Sequence, residues 1–218
     1  MNIRLAYAAA VLVAFSGCDR LPGRPGAGDE VARPEQVLDF NTLYKENCSG
    51  CHGADGKGGA SIALRDPVYL AIADDAAIRN VASAGVPGTQ MPPFAQSKGG
   101  MLTDKQIDVL VQGIRAWASA DVPRDGLPPY SAPLGDPQRG TGVYATFCAS
   151  CHQGGASPIT NATYLSLVSD QYLRTVVIAG RPELGAPDWR GDVRGRPMSA
   201  EEISDVVAWL ASQRSTSK

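Results

Sequence analysis

The chain has 218 residues, enough for one large domain or two small ones. Hydrophobic residues make up 44% and charged residues 19% of the sequence, a globular composition that excludes an intrinsically disordered protein. The formal net charge of −2 gives no indication of nucleic-acid binding.

The N-terminal segment has the pattern of a bacterial export signal. A basic start precedes an apolar run from Leu5 to Phe15, which is too short to span a bilayer as a helix. The small residues that follow end at Cys18 and resemble a lipobox, in which cleavage precedes the cysteine and its thiol is acylated, although Phe15 stands where leucine is usual. We therefore predict a signal peptide over 1–17 and a lipid anchor at Cys18, on the periplasmic or extracytoplasmic face of the membrane. The alternative is an ordinary signal peptide with an incidental cysteine.

Two segments are rich in proline, glycine and charge and lack apolar periodicity. Residues 18–34 are predicted to be a flexible tether. Residues 121–138 are predicted to link two domains, with the possibility that they pack against either one.

Residues 35–120 and 139–218 have similar sequences. Tyr69-Leu70 corresponds to Tyr164-Leu165, and matches of this kind recur along both copies. Self-similarity at this scale indicates two copies of one domain. The main difference in length lies a few residues after position 52, where the first copy is longer.

Both copies have the periodicity of helices. Apolar residues recur at helical spacing near the start of each copy, and the last helix of each has a candidate N-cap, Thr103 or Ser199. Glu202, three residues after Ser199, fits a capping box. The fold class is therefore predicted to be all-α.

Each copy carries one Cys-x-x-Cys-His motif. The motif residues are Cys48, Cys51 and His52 in the first copy and Cys148, Cys151 and His152 in the second. In such a motif two thiols add to the vinyl groups of haem, and the histidine lies beneath the iron as its proximal ligand. The pattern therefore predicts two covalently bound haems c.

Structural zinc is the main alternative for paired Cys-x-x-Cys motifs. Zinc ribbons separate their pairs by about 15–20 residues, whereas these pairs lie in different domain copies and each is followed directly by histidine. The spacing therefore favours haem over zinc.

With these motifs, each copy resembles a class I cytochrome c domain. The resemblance implies two tandem domains, each of a few short helices around a covalently attached haem, with a methionine loop that supplies the sixth iron ligand. The stretch from Gly88 to Phe94 resembles that loop, which implies that Met91 binds the first iron opposite His52. Met101 is a competing ligand, and an open side on this haem is a further alternative.

The second copy departs from the family pattern. Ala186 stands in register with Met91, and the one methionine of this copy is Met198, which aligns with Leu102 beside a helix N-cap. Two interpretations stay open. Either the loop before Met198 folds so that this methionine binds the second iron, or Met198 packs in the core and the second haem is five-coordinate or binds water.

Arginine is concentrated in the loop from Arg181 to Pro197. Its guanidinium groups suit haem propionates or the carboxylates of a partner protein. The alternative is that these are solvated loop charges.

The favoured function is electron transfer by a membrane-anchored protein that is not an enzyme. It would pass single electrons between a respiratory or periplasmic donor and an acceptor, alone or as a subunit of a dehydrogenase, a quinol-oxidising complex or a terminal oxidase. The alternatives are a peroxidase-like haem enzyme and a gas sensor, both of which would use an open position on the second haem.

Overall fold

The computed structural model describes residues 31–119, 121–122, 125–152, 158–191 and 195–214. The predicted signal peptide, Cys18 and most of the tether lie outside these residues. Residues 37–218 form one compact unit, and the described part of the preceding unit contains one short 3₁₀ helix, Pro34–Gln36. No helix among the described residues combines the length and apolar character needed to cross a membrane.

The described part of the chain contains helices and two isolated bridges but no β-strand, which confirms the all-α prediction. The α-helices of the first repeat are α1 (Phe40–Asn47), α2 (Ser49–His52), α3 (Pro67–Ile72), α4 (Asp75–Ala84) and α5 (Asp104–Arg115). Those of the second are α6 (Pro137–Phe147), α7 (Ala149–His152), α8 (Ala162–Ser166), α9 (Asp170–Ala179) and α10 (Ala200–Ser212). Short 3₁₀ helices lie at Gln96–Lys98, Pro158–Thr160 and Pro182–Leu184.

Side-chain caps fix where many of these helices begin. Thr103 and Ser199 accept hydrogen bonds from the backbone N–H three residues on, and Gln106 and Glu202 complete both capping boxes. A capping box satisfies two N–H groups that a helix N-terminus otherwise leaves without partners. Both predicted N-caps, and the predicted box at Glu202, are confirmed.

The first and last helices of each repeat cross closely. The helix that supplies the small residue at the crossing differs between the two repeats. In the first repeat a Cβ at Gly113 of α5 would overlap the ring of Phe40 on α1. In the second, Gly140 of α6 lies against the backbone of Asp205 and the Cβ of Trp209 on α10. Each crossing therefore pairs one glycine with one aromatic residue, from opposite helices in the two repeats.

In each repeat, an arginine at the end of the last helix donates hydrogen bonds to the two middle helices and the segment between them. Arg115 donates to Asp75 Oδ1 and to the carbonyls of Leu70 and Ala73, at 2.5–2.6 Å. Arg214 makes the equivalent set, to Asp170 Oδ1 and the carbonyls of Leu165 and Val168, at 2.5–2.9 Å. The two arginines are 99 positions apart, whereas the N-cap residues Thr103 and Ser199 are 96 apart. Arg214 therefore lies about one helical turn further from the N-cap of its last helix than Arg115 does.

One apolar core joins the two repeats. Helix α3 packs against α9, and the buried cluster includes Leu70 and Ile107 of the first repeat with Ile178, Trp189 and Ile203 of the second. A continuous core of this kind opposes independent movement of the two domains.

The described part of the predicted linker packs in the same unit. Leu127 and Tyr130 lie against the shared core, and the Tyr130 carbonyl accepts a hydrogen bond of 2.8 Å from Gln171 Nε2. Helix α6 begins at Pro137, within the segment that the sequence assigned to the linker. The linker therefore forms part of the domain interface.

Candidate haem-binding sites

The two Cys-x-x-Cys-His motifs adopt the same turn. Cys48 ends α1 and begins α2, with φ −119° and ψ −35°, and Cys148 has φ −118° and ψ −37° between α6 and α7. In both motifs the N–H groups of the second cysteine and of the histidine donate to the carbonyl of the first cysteine, at 3.2 and 3.0 Å. One helical turn therefore brings two thiols and an imidazole together, as haem attachment requires.

The four motif cysteines form no disulfide in the described part of the chain. Burial raises the pKa of Cys48 and of Cys148 to about 11, and the neighbouring cysteine of each motif adds to the shift. These two thiols are therefore protonated at neutral pH. Addition of the two thiols of each motif to the haem vinyl groups would form the thioether bonds.

His52 has the environment of an iron ligand. Its side chain is buried, with 8% exposed, and its Nδ1 lies 2.8 Å from the carbonyl oxygen of Ile62. A carbonyl oxygen only accepts, so Nδ1 carries the proton and Nε2 keeps its lone pair for a metal. Burial lowers the pKa of His52, although the bond to Ile62 opposes this, and the ring is therefore neutral.

A tyrosine hydroxyl braces the end of each motif. Tyr44 donates to the Gly53 carbonyl at 2.9 Å, and Tyr144 donates to the His152 carbonyl at 3.3 Å. In the sequence these tyrosines fit the apolar helical spacing before each motif, which does not predict this contact. Their shared position, four residues before the first cysteine, was the available signal. The contact between His52 and the Ile62 carbonyl could not be predicted from the sequence, because every residue type has a backbone carbonyl.

The extra residues after the first motif fold back onto it. Ser61 N–H donates to the Cys51 carbonyl at 2.9 Å, and a Cβ at Gly59 would lie 2.6 Å from the His52 carbonyl carbon. The segment from Gly53 to Ser61 therefore covers the backbone of the first haem motif.

Met91 lies on the predicted loop in a tight turn. The Val86 N–H donates to the Met91 carbonyl at 2.9 Å, and Gly85, with φ +65°, lies so close to Pro92 that a Cβ would approach its carbonyl carbon to 2.5 Å. Met91 itself is partly exposed, whereas the competing Met101 is 81% exposed at the surface. The loop geometry favours Met91 over Met101 as a ligand.

The second repeat builds the same turn around Ala186. The Arg181 N–H donates to the Ala186 carbonyl at 2.9 Å, as Val86 does to Met91. Met198 donates its N–H to the Trp189 carbonyl at 3.0 Å, as Leu102 does to Phe94 at 2.8 Å. The alignment of the two repeats is therefore reproduced in the hydrogen bonds of the loops.

The described arginines of the second loop contact their own chain. Arg181 binds Glu183, Arg190 binds Asp188, and Arg196 binds Glu202, each at 2.5–2.6 Å. Arg190 also lies over the ring of Trp189, 4.6 Å from its centroid. Asp192 and Arg194 lie outside the described residues. The described arginines of this loop thus form intramolecular pairs, and Arg190 and Arg196 remain about half exposed to solvent.

The described residues contain no cluster of three or more His, Cys, Asp or Glu side chains suited to a metal ion. The two turns with their paired thiols and a histidine, the first with a neutral imidazole, instead fit covalently attached haem.

Comparison with known proteins supports the same assignment. The family model described as cytochrome c oxidase, cbb3-type, subunit III matches residues 35–112 and 135–210, once in each repeat. The chain is similar to the cbb3-type cytochrome c oxidase subunit CcoP of Azospirillum sp., with 30% identity over 63% of this chain and 52% of that protein. It is also similar to cytochrome bc1 complex cytochrome c subunits of Mycobacterium bovis and Mycobacterium tuberculosis, with 22% identity over 77% of this chain and 60% of theirs.

The chain thus spans between half and two thirds of the length of these relatives. The family match covers both haem-binding turns, and cytochrome c domains of this family bind haem c covalently, so the protein is a di-haem c-type cytochrome. The chain belongs to the family of cytochrome c oxidase, cbb3-type, subunit III.

Proposed function

We propose that this protein transfers single electrons between a respiratory or periplasmic donor and an acceptor, as a membrane-anchored di-haem cytochrome c. The observation that carries the proposal is that both haem-binding turns lie in one compact unit with a shared apolar core. Such a unit keeps two redox centres in a fixed relation, so that an electron can enter at one haem and leave at the other.

In this proposal the motif residues hold the haems. Cys48 and Cys51 attach the first and Cys148 and Cys151 the second, each through thioether bonds, and His52 and His152 are the proximal ligands. Met91 is the sixth ligand of the first iron. Bound haem supplies the one-electron chemistry, and methionine ligation would favour a high reduction potential.

The partners are proposed to be respiratory complexes. The relatives named above are subunits of a cbb3-type oxidase and of a cytochrome bc1 complex. Their names support a place for this chain beside a quinol-oxidising complex or a terminal oxidase. The protein itself is proposed to convert no substrate.

Reoxidation of the reduced holoprotein by membranes tests this function. The protein is purified with its haems, reduced, and mixed under air with membrane vesicles of the source organism while the haem bands are followed. Reoxidation that cyanide blocks would support the proposal, because cyanide inhibits terminal oxidases. A rate equal to that with heat-inactivated membranes would refute it.

The membrane anchor is proposed to be a lipid on Cys18. The lipobox-like stretch ending at this residue supports it, and a lipidated thiol also accounts for the one cysteine outside the haem motifs. Mass spectrometry of the mature protein should find diacylglycerol on an N-terminal Cys18, and Cys18→Ser should release the protein from membranes. An unmodified, soluble wild-type protein would reject the anchor.

A further inference from the structure

We propose that the second haem has an open sixth position, at which its iron binds a small uncharged ligand such as carbon monoxide. The inference rests on haem attachment at Cys148, Cys151 and His152, and it concerns the side of the haem opposite His152.

The loop around Ala186 has the backbone of the loop around Met91 without the methionine. Gly85 and Gly180 end α4 and α9 with nearly equal angles, φ +65° and ψ −166° against φ +71° and ψ −169°. A Cβ at Gly180 would lie 2.5 Å from the Pro187 carbonyl oxygen, so this loop too lies directly on its glycine. Ala186 therefore occupies the place of Met91 in the same turn, with a methyl group that offers iron no donor atom.

Met198 lies in a packing position. It lies immediately before the N-cap Ser199, where Leu102 is buried in the first repeat. Its side chain packs against the shared core and lines a pocket with Trp189 and with Leu127 of the linker segment. A hydrophobic residue just before an N-cap commonly packs as a staple, which accounts for Met198 without iron.

Local contacts oppose a shift of the Met198 backbone. Its N–H is bonded to Trp189, and Ser199 forms a capping box with Glu202. Arg196, two residues before Met198, pairs with the same glutamate, so the chain on both sides of Met198 is anchored to α10. Moving the Met198 backbone toward a haem would disrupt this set of contacts.

Apart from its haem motif, the second repeat has few side chains that could bind iron. His152 is the one histidine of the second repeat, its cysteines belong to the haem motif, and its one lysine is Lys218 at the C-terminus. Tyr164 packs against the apolar cluster of Leu165, Leu173, Val207 and Leu210, and burial raises its pKa. Side chains of the repeat therefore leave the sixth position to a ligand from solution.

Carbon monoxide binding to the reduced holoprotein tests the inference. The pyridine haemochrome assay first establishes the haem content per chain. In the wild type, carbon monoxide should shift the absorption of about half of the haem, because it displaces methionine poorly but enters an open position. Ala186→Met should abolish the shift, and Met198→Leu should leave it unchanged.

Met91→Ala is the matched control, because it creates at the first haem the vacancy proposed for the second, and it should let nearly all the haem bind carbon monoxide. A wild type in which no haem binds the gas would overturn the inference, as would binding that appears only in Met198→Leu. One haem per chain would contradict the attachment on which the inference rests. Failure of electron exchange with membranes would refute the proposed function and leave these spectra unaffected.

Discussion

Arg181 donates a hydrogen bond of 2.7 Å from Nη2 to the carbonyl of Gly59, which joins the two repeats. Gly59 lies on the backbone of Cys51 and His52, whereas Arg181 begins the turn that carries Ala186. The contact therefore connects the two features in which the repeats differ, the longer segment after the first haem motif and the loop without methionine. It fixes the second loop against the first haem site.

Removal of this contact should weaken the whole unit. The Arg181 side chain is 13% exposed and also bonds Glu183 through Nε at 2.6 Å. Hydrogen bonds from charged groups contribute about 1.5–3 kcal/mol, so Arg181→Ala should lower the free energy of unfolding by about that amount. Urea denaturation of the holoprotein, followed by circular dichroism, measures the change.

Arg79→Ala is the matched control for that variant. Arg79 pairs with Asp108, and both side chains are more than a third exposed, so the expected loss is under about 1 kcal/mol. If the two variants cost the same, the contact between Arg181 and Gly59 does not hold the repeats together.

Two glycines of α6 should respond to alanine with opposite signs. A Cβ at Gly140 would lie 2.6 Å from the Cβ of Trp209, and relief would require α10 to move, so Gly140→Ala should cost about 1–3 kcal/mol. Gly142 meets nothing within 4 Å, and Gly142→Ala should gain about 0.5–1 kcal/mol from helix propensity. Thermal unfolding of both variants measures the difference, and destabilisation by Gly142→Ala would show that this face of α6 is covered.

Asp66 should make stability depend on pH. It is 7% exposed and caps α3 by accepting from Tyr69 N–H at 2.8 Å. Burial raises its pKa, with Asp188 and Glu183 adding to the shift while hydrogen bonds from Tyr69 and Val68 oppose it. A carboxyl with a raised folded pKa stabilises most below its unfolded pKa of 3.8, and that contribution is lost as the pH rises through the folded value.

Two substitutions separate the charge of Asp66 from its cap. Asp66→Asn keeps a capping oxygen without the charge, so it should be at least as stable as the wild type near neutral pH and should lack this loss. Asp66→Ala loses the cap as well, at a cost of about 1 kcal/mol. Urea denaturation from about pH 4 to about pH 7 distinguishes them, and an unchanged pH profile in Asp66→Asn would assign the dependence to other groups.

A carboxylate placed beside Arg174 should stabilise the protein, because the corresponding arginine of the first repeat already has such a partner. It is 3% exposed and bonds the Pro129 carbonyl and Ser204 Oγ, but its Nη2 has no hydrogen-bond partner among the described atoms. Burial lowers the pKa of Arg174. The corresponding Arg79 pairs with Asp108, which aligns with Ser204.

Ser204→Asp would therefore place a charge partner beside Arg174, and we expect the free energy of unfolding to rise by about 1 kcal/mol. Ser204→Ala, which removes the existing bond, should lower it by a similar amount. Chemical denaturation of the pair measures both, and a loss in Ser204→Asp would mean that desolvation of the new carboxylate outweighs its attraction to Arg174.

Local features of the fold could be predicted from the sequence. The haem-binding turns follow from five consecutive residues, and the helices at Thr103 and Ser199 follow from caps that act within one turn. The register of Ala186 with Met91 also came from the repeat, and the hydrogen bonds of both loops reproduce it.

Long-range packing could not be predicted in this way. The first repeat packs Phe40 of its first helix against Gly113 of its last, whereas the second packs Gly140 of its first helix against Trp209 of its last. This difference involves helices far apart in the sequence. Arg115 and Arg214 make the same contacts from positions that alignment of the last helices leaves out of register, so the repeat conceals their equivalence. The shared core between α3 and α9 could not be predicted from the sequence, because the apolar residues of each repeat fit an isolated domain equally well.

A potentiometric titration of the purified holoprotein, followed in the haem absorption bands, tests the central claim most directly. If each Cys-x-x-Cys-His turn holds a redox-active haem, the protein should take up two electrons per chain, reversibly, with changes in the spectra of both haems. Uptake of a single electron per chain, or a reduction that cannot be reversed, would contradict a di-haem electron carrier.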